Sequence, residues 1–374
     1  MKVLITGGAG FIGSHTVDLL VEKGYEVRIL DNLEQQVHQE KIPDYLNPKA
    51  EFVQGNVTDS NTWKKVLKNV NTVIHLAALV SIGQSMYQPL RFLNINTLGT
   101  AKFYETLLTN PEIRRNVKKI IVASSKSIYG EGTYKCKTHG TIYPGLRPIE
   151  QLKRKDWEVH CPICNEYVKP IETTEEKPAQ NLSVYALSKF DTERLALMYG
   201  NAFQIPTIVF RYFNVYGPRQ SLSNPYTGVC AIFMSRIKNN NQPIIYEDGN
   251  QVRDFIYVED VARANLVALE SNKFIFDVFN VATGKPTSIL EIARTLTEIY
   301  DSKVQPKVTE EFRVGDNRHD FADISKIKKV FGWEPKVKLK EGLEGLVKWS
   351  EEQEAMDKFM EAEAERRKYL GGEL

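Results

Sequence analysis

A short β-branched run that ends in glycines and passes straight into a helical pattern is the strongest constraint on how this chain can fold. Val3-Leu4-Ile5-Thr6 leads into Gly7-Gly8-Ala9-Gly10-Phe11-Ile12-Gly13, and from near Ser14 apolar residues recur at Val17, Leu20 and Val21. Glycines at a strand end permit a tight turn and close approach of the backbone to a ligand. The following helix then presents free N–H groups and the positive end of its dipole to an anion such as a pyrophosphate. The spacing is G-x-x-G-x-x-G, not the commoner G-x-G-x-x-G. A structural turn also needs glycine, so this feature has to be read with its surroundings.

Those surroundings repeat the pattern. Glu26-Val27-Arg28-Ile29-Leu30, Glu51-Phe52-Val53, Thr72-Val73-Ile74-His75-Leu76, Lys119-Ile120-Ile121-Val122-Ala123 and Thr207-Ile208-Val209-Phe210 alternate with helical stretches. This alternation predicts an α/β fold, a Rossmann-type doubly wound parallel sheet with its ligand at the carboxyl ends of the strands. Asp31 closes the second run, 18 residues beyond Gly13. An acidic side chain there accepts hydrogen bonds from a ribose and repels a 2′-phosphate, and no Arg or Lys follows at once. The expected cofactor is therefore NAD, not NADP.

At roughly 150 residues per domain, 374 residues predict two domains with elaborations. Beyond about Arg211 the sequence becomes turn-rich. Strand-like Asp254–Val258 and Val278–Ala282 follow, then helical patterns at Ser288–Tyr300, Ile324–Phe331 and Leu343–Ser350. The expected division is 1–213 with 243–283 as the NAD-binding domain, and 214–242 with 284–350 as a smaller α/β substrate domain. Residues 131–175 form an insertion, and 351–374 a charged C-terminal helix. That last segment has eight acidic and four basic residues, with Met356, Phe359 and Met360 at helical spacing. It is expected to lay one narrow stripe on the body and leave the rest solvated.

Lys plus Arg is 49 and Asp plus Glu 47, a net charge of +2, which argues against a nucleic-acid or anionic-membrane partner. No apolar run approaches the ~20 residues of a membrane helix, and Met1–Thr6 does not open a signal peptide, so a cytoplasmic location is expected. Any anion must be bound locally.

Tyr185-Ala186-Leu187-Ser188-Lys189 puts a phenol and an ammonium four residues apart on one helical face. A phenol with pKa near 10 becomes a useful base at neutral pH only when nearby positive charge stabilises the phenolate. Ser124-Ser125-Lys126-Ser127-Ile128-Tyr129-Gly130 follows a strand at its carboxyl end, where a serine can hydrogen-bond a substrate hydroxyl or the carbonyl it becomes.

Taken in order, these motifs closely resemble the extended short-chain dehydrogenase/reductase family, specifically its nucleotide-sugar epimerases and dehydratases. The resemblance runs to about Ser350. It also includes His75-Leu76-Ala77-Ala78, Asn96-Thr97-Leu98-Gly99-Thr100, Arg211-Tyr212-Phe213-Asn214-Val215-Tyr216-Gly217-Pro218 and Arg253-Asp254-Phe255-Ile256-Tyr257-Val258-Glu259-Asp260. It implies that Tyr185 is the catalytic base, that Lys189 lowers its pKa and holds the nicotinamide ribose, and that Ser125 bonds the reacting oxygen. Gly7, Gly10, Phe11, Ile12, Gly13, Asp31 and Asn32 would hold NAD together with Asn56, Val57, Leu76, Ala77, Ala78, Asn96 and Tyr212. Asn56 stands where the family usually has aspartate near the adenine. Ser81, Ser125, Lys126, Ser127 and Asn214 would contact the sugar nucleotide, with Arg253 and Arg313 clamping its diphosphate and Arg219, Asp316 and Arg318 in the same pocket. The implied partners are a nucleotide-diphosphate sugar and a second copy of the chain in a homodimer.

Family dehydratases carry Asp-Glu after the strand-end Ser/Thr to eliminate water across C5–C6; here those places hold Lys126 and Ser127. Epimerisation through a transient ketone is therefore preferred, most simply at C4, over a dehydratase, a 4-dehydrogenase/reductase or a non-catalytic NAD sensor. Ser125 and Tyr185 lie 60 positions apart, and between them Cys136-Lys137-Thr138-His139 and Cys161-Pro162-Ile163-Cys164 read C-x-x-H, 21 residues, C-x-x-C. Two knuckles of soft ligands match a closed structural zinc site of Cys136, His139, Cys161 and Cys164; reduced thiols or a redox pair at Cys161 and Cys164 are the alternatives. His160 is a spare ligand, and Cys230, beside Val229 and Ala231, reads as a core thiol. A cysteine-bearing insertion here, with Gln84–Tyr87, Asn224–Val229 and Gly315–His319, resembles the subfamily of dTDP-L-rhamnose 4-epimerases. It is expected to hang over the mouth of the site.

Overall fold

The computed structural model describes residues 1–39 and 41–370. One sheet contains seven strands: β1 (Lys2–Thr6), β2 (Glu26–Asp31), β3 (Glu51–Gln54), β4 (Thr72–His75), β5 (Lys119–Ser125), β6 (Thr207–Tyr212) and β7 (Phe276–Val281). Their order is β7-β6-β5-β4-β1-β2-β3. Every neighbouring pair is parallel. The strand order reverses between β1 and β4, which opens a crevice beside their carboxyl ends.

Alternation along the strands builds a core on each face. Val3 and Ile5 of β1 pack with Val17 and Leu20 of α1 (Phe11–Glu22) on one side. On the other, Leu4 packs with Trp63, with Phe103 and Leu107 of α2 (Gly99–Thr109), and with Ala196 of α3 (Val184–Phe203). The first face is completed by Val261, Ala264 and Ala268 of α4 (Val258–Glu270). Helix α1 begins at Phe11, earlier than Ser14, because Gly10 stays extended as its N-cap.

The chain leaves the sheet after β6. Asn214–Tyr216 pairs in parallel with Val252–Tyr257, which pairs antiparallel with Pro286–Ser288. Helices Val229–Lys238, Ile289–Ile299 and Leu339–Glu351 close around Phe233, Ile237, Phe255, Leu296 and Leu346. Val252–Tyr257 falls within 243–283, the range expected in the first unit; its pairing ties it to the second, and α4 and β7 carry the chain back to the main sheet.

Residues 131–175 form a separate lobe in which Thr133–Cys136 lies between Gly140–Ile142 and Lys169–Ile171, all antiparallel. Tyr134, Ile142, Val159 and Val168 make its small core. Buried ion pairs fasten it to the second unit: Arg147 holds both oxygens of Glu247 at 2.8 and 3.0 Å, and Arg318 bridges Glu158, Glu247 and Asp248 at 2.6–2.9 Å.

The C-terminal segment differs from expectation. Asn239 donates to the Ala355 carbonyl at 2.6 Å, and Asp357 accepts from Arg236 and Asn241 at 3.2 and 2.7 Å. A helix, Phe359–Leu370, then crosses to the first unit, where Tyr369 stacks on Tyr87 with ring centres 5.1 Å apart. Met356 and Met360 stay exposed while Glu363 is buried, so of the expected stripe Phe359 alone packs, beside polar Glu363 and aromatic Tyr369. No described helix is long and apolar enough to cross a membrane.

Candidate active site

A cleft of about 680 Å³ runs from the glycine turn, past the ends of β4, β5 and β6, into the second unit. Gly7 has φ +69°, and a Cβ there would lie 2.9 Å from the Ala77 backbone; at Gly13 it would lie 2.0 Å from the Gly7 carbonyl oxygen. Side chains are therefore excluded at both positions, and Gly10, Phe11 and Ile12 complete a cradle open to the cleft. Asp31, at the end of β2, accepts from the Ala9 and Leu33 N–H groups at 3.0 and 2.9 Å, bracing the turn while facing the cleft. Asn32, Asn56 and Val57 line the same end, and Leu76, Ala77 and Ala78 follow β4 along the wall. The Asn56 carboxamide oxygen is taken by the Thr58 N–H at 3.0 Å, which leaves its NH2 as a donor. This arrangement, a side-chain-free cradle followed by a ribose-height carboxylate, fits a dinucleotide.

His75 lies beneath the cradle. The Thr6 hydroxyl accepts from the Ala77 N–H at 3.2 Å and so donates to His75 Nδ1 at 2.7 Å, while Thr100 donates to the Asn96 carbonyl at 2.6 Å and accepts from Nε2 at 3.1 Å. The imidazole is neutral. Burial pulls its pKa down to about 3, and the charge of Lys189 acts in the same direction.

At the centre, Ser125 ends β5, and Tyr185 and Lys189 lie one turn apart on α3. Ser183 caps α3 by accepting the Ala186 N–H at 3.1 Å, and Ser85 accepts the Tyr185 N–H at 3.0 Å, so the reactive turn is anchored at its start. Burial raises the Tyr185 pKa, opposed by a hydrogen bond from Ser125. Burial lowers Lys189 to about 8, opposed by Glu193, so the ammonium persists at neutral pH. Glu193 itself is buried, held by Arg211 at 2.6 and 3.0 Å and by the Ser124 hydroxyl at 2.9 Å. Motif reading missed this residue. Its spacing of four from Lys189 on a buried helix face was the available signal. Asn96, expected against the cofactor, sits behind the wall in a π-helical turn, Leu93–Leu98. There its amide bonds the Leu79 backbone at 2.8 and 3.0 Å and the Ser188 hydroxyl at 3.0 Å.

Both units supply the rest of the cleft. Ser81 and Ser127 of the first and Asn214 of the second face it, and Tyr212 at the end of β6 lies on its floor with its phenol donating to Asn265 at 2.6 Å. Lys126 pairs with buried Asp320 at 2.7 Å. The Arg253 guanidinium donates to the carbonyls of Val252, Asn317 and Arg318 at 2.8–2.9 Å and has no carboxylate partner among the described residues. Arg313 pairs with Asp316 at 2.8 Å and lies 4.5 Å over the Tyr246 ring. Asn214 Oδ1, Gln220 Oε1, Gln251 Oε1 and Asn317 Nδ2 are buried without a hydrogen-bond partner, and all four residues line the cleft. Three unpaired amide oxygens and one unpaired amide N–H group beside Arg253, a cation without a carboxylate partner among the described residues, describe a site for a ligand that carries both an anion and hydroxyl or N–H donors.

Two arginines depart from expectation. Arg219 also lines the cleft but sits against α1, paired with Asp18 at 2.6 Å and 4.9 Å over the Tyr45 ring, on the glycine-turn side. Arg318 is fully buried in the ion-pair network and lines no part of the cleft. Phe359, Ala362, Glu363 and Arg366 of the C-terminal helix line the cleft instead.

Cys136, His139, Cys161 and Cys164 converge as a cluster whose ligand atoms all lie within 4.8 Å of one another. His160 is not among them; it pairs with Asp156 at 3.0 Å and stands edge-on to Tyr167. The lobe expected over the mouth contributes no residue to the cleft lining. Cys230 is buried in the second core, its thiol pushed up to about 12 by burial.

Comparison with known proteins matches residues 3–150 and 163–282 to the NAD dependent epimerase/dehydratase family. A dTDP-L-rhamnose 4-epimerase of Burkholderia thailandensis is 36% identical over 346 residues, covering 91% of this chain and 92% of the relative. A putative UDP-glucose 4-epimerase of Methanocaldococcus jannaschii is 35% identical over 350 residues, covering 91% and 95%. Among solved structures, the UDP-glucose 4-epimerase of Thermotoga maritima with UDP-glucose superposes with a TM-score of 0.77 at 33% identity, covering 94% of this chain and 99% of that one. The Thermus thermophilus UDP-glucose 4-epimerase in complex with NAD gives a TM-score of 0.74 at 28% identity, covering 95% and 100%.

Proposed function

The chain belongs to the NAD dependent epimerase/dehydratase family, and we propose that within it this protein is an NAD-dependent nucleotide-sugar epimerase that inverts C4 through a transient 4-keto sugar. The observation that carries the reading is the meeting of Ser125, Tyr185 and Lys189 in one cleft, with the basic Lys126 and neutral Ser127 where elimination chemistry would need acids. When bound, NAD supplies the reversible hydride acceptor that oxidation and re-reduction at one carbon require. The cradle of Gly7–Gly13 with Asp31 would hold it.

Tyr185 accepts the proton of the C4 hydroxyl and returns it after inversion. Its pKa is raised by burial, so the base form depends on positive charge brought beside it: Lys189, one helical turn away, and an oxidised nicotinamide. Ser125 holds the reacting oxygen as alcohol and as ketone. The keto sugar, planar only at its carbonyl carbon, turns and presents the other face of that carbon, while Arg253 and Arg313 keep the diphosphate in place by charge-assisted hydrogen bonds. The orphan Asn214 Oδ1 is offered to the same ligand.

The Sγ atoms of Cys136 and Cys164 are 3.7 Å apart, and His139 Nδ1 lies 3.6 and 3.5 Å from the Sγ atoms of Cys136 and Cys161. Zinc–sulfur bonds of about 2.3 Å and zinc–nitrogen bonds of about 2.0 Å give tetrahedral edges of roughly 3.5–3.8 Å. The cluster fits a structural zinc, and four protein donors leave no place for catalytic water. Family resemblance further supports a homodimer in the cytoplasm.

The decisive experiment incubates the purified protein separately with dTDP-L-rhamnose and UDP-glucose and follows the ring protons by NMR, with mass spectrometry of the cofactor released on denaturation. Inversion at C4 with one NAD per chain is expected. Loss of water, or a net redox product, overturns the epimerase reading. Elemental analysis without chelator is expected to find one zinc per chain; none would remove the metal assignment.

A further inference from the structure

The C-terminal helix lies beyond residue 282, the last that the family match covers, yet it forms part of the cleft wall. Its placement is specific. Glu365 bonds the phenols of both Tyr87 and Tyr226, Tyr369 stacks on Tyr87, and Arg236 lies 4.7 Å over the Phe359 ring. The helix therefore joins the two units across the cleft.

Glu363, 9% exposed, accepts from Arg366 at 2.6 and 3.0 Å and from Arg367 at 3.0 Å. Arg366 lines the cleft and feels the charge of Arg313, which stacks on Tyr246 across from it. Three guanidinium groups, Arg253, Arg313 and Arg366, thus line this end of the cleft against two carboxylates, Asp316 and Glu363. Glu363 is shared with Arg367, outside the lining, so the cations remain in excess. Like charges gathered this way repel one another until an anion joins them.

Resting on the nucleotide-sugar reading above, we propose that Arg366 is a substrate-anchoring residue that reaches the diphosphate of the nucleotide sugar from the C-terminal helix, and that Glu363 is its positioning residue. The anchor acts away from the reacting carbon. It stabilises ground state and transition state alike, and its loss raises KM while leaving kcat in place.

The test compares Arg366→Ala, Arg366→Lys and Arg367→Ala for affinity to dTDP and UDP by calorimetry and for steady-state epimerisation. Arg366→Ala is expected to weaken nucleoside-diphosphate binding and raise KM at least tenfold, with kcat and NAD content within twofold. Arg366→Lys restores part of the loss, and Arg367→Ala, which also removes a Glu363 bond, changes little. Unchanged affinity in Arg366→Ala, or an equal loss in Arg367→Ala, overturns the assignment. Nucleoside-diphosphate binding by the unaltered protein without epimerisation would overturn the epimerase reading alone. No binding by the unaltered protein would overturn both.

Discussion

The two ends of the cleft are built on opposite principles. At the glycine turn the cleft is walled by backbone: Gly7 and Gly13 exclude side chains, Asp31 is braced by two N–H groups, and the neutral His75 has both ring nitrogens bonded. At the far end the cleft is lined by the side chains of Asn214, Gln251, Arg253, Arg313, Asn317 and Arg366, several of them with polar atoms unpaired. The first end is preorganised and needs only a shape. The second holds uncompensated charge and is completed by what binds there.

This contrast yields a graded set of predictions. Between the two ends, Tyr185→Phe is expected to lower kcat by about 10²–10⁴ with NAD content unchanged, since general acid–base groups contribute that much; a drop below tenfold, measured by NMR, would show that Tyr185 is not the base. At the far end, Arg253→Ala removes charge-assisted bonds worth about 1.5–3 kcal/mol, a rise in KM of about ten- to a hundredfold, together with a stability loss from the three carbonyls left without their donor. A stability loss without a KM effect would mean that Arg253 serves its three carbonyl partners alone. At the near end the order reverses: Gly13→Ala drives a Cβ to 2.0 Å from the Gly7 oxygen, and a loss of about 1–3 kcal/mol in urea unfolding together with loss of NAD is expected. Retention of NAD would show that the turn can move.

A further effect, spread over several pH units, is in pH. His75 has its folded pKa lowered from 6.5 to about 3 by burial, so the unfolded chain binds the extra proton. Its contribution is complete above pH 6.5 and is lost as pH falls from there toward 3, at up to about 1.4 kcal/mol per unit. Cofactor-free His75→Gln is expected to flatten that acid limb in urea titrations. An unchanged slope would place the acid sensitivity elsewhere.

Legibility followed the same division. The strands, the glycine turn, Asp31 and the Ser125, Tyr185 and Lys189 set were readable because each depends on local chemistry at short spacing. Glu193 was missed although it lies four residues from Lys189 on α3, because its partner Arg211 comes from a different element, strand β6. Asn96 was read both as the helix asparagine that supports the site and as a cofactor contact; its bond to Ser188 agrees with the first, and which applies depends on the way a π-helical turn points. Arg219 and Arg318 show the same difficulty: an arginine near a motif names a possible anion, and only the fold shows that one faces Asp18 and the other is sealed among Glu158, Glu247 and Asp248.

The sequence by itself determined the alternating sheet, the anion cradle, the reactive triad and the pairing of C-x-x-H with C-x-x-C, because these are short-range patterns whose physics is complete within a few residues. Only the tertiary structure decided where the lobe and the C-terminal segment go. The cysteine lobe, expected over the mouth, is tied to the second unit by Arg147 and Arg318 and gives the cleft no lining residue, and the helix expected on the surface forms part of the cleft wall. Both outcomes rest on ion pairs, hydrogen bonds and aromatic contacts between residues far apart in the chain, such as Arg318 with Asp248, Tyr87 with Glu365 and Tyr87 with Tyr369. Nothing in the local pattern of either segment encodes those partners.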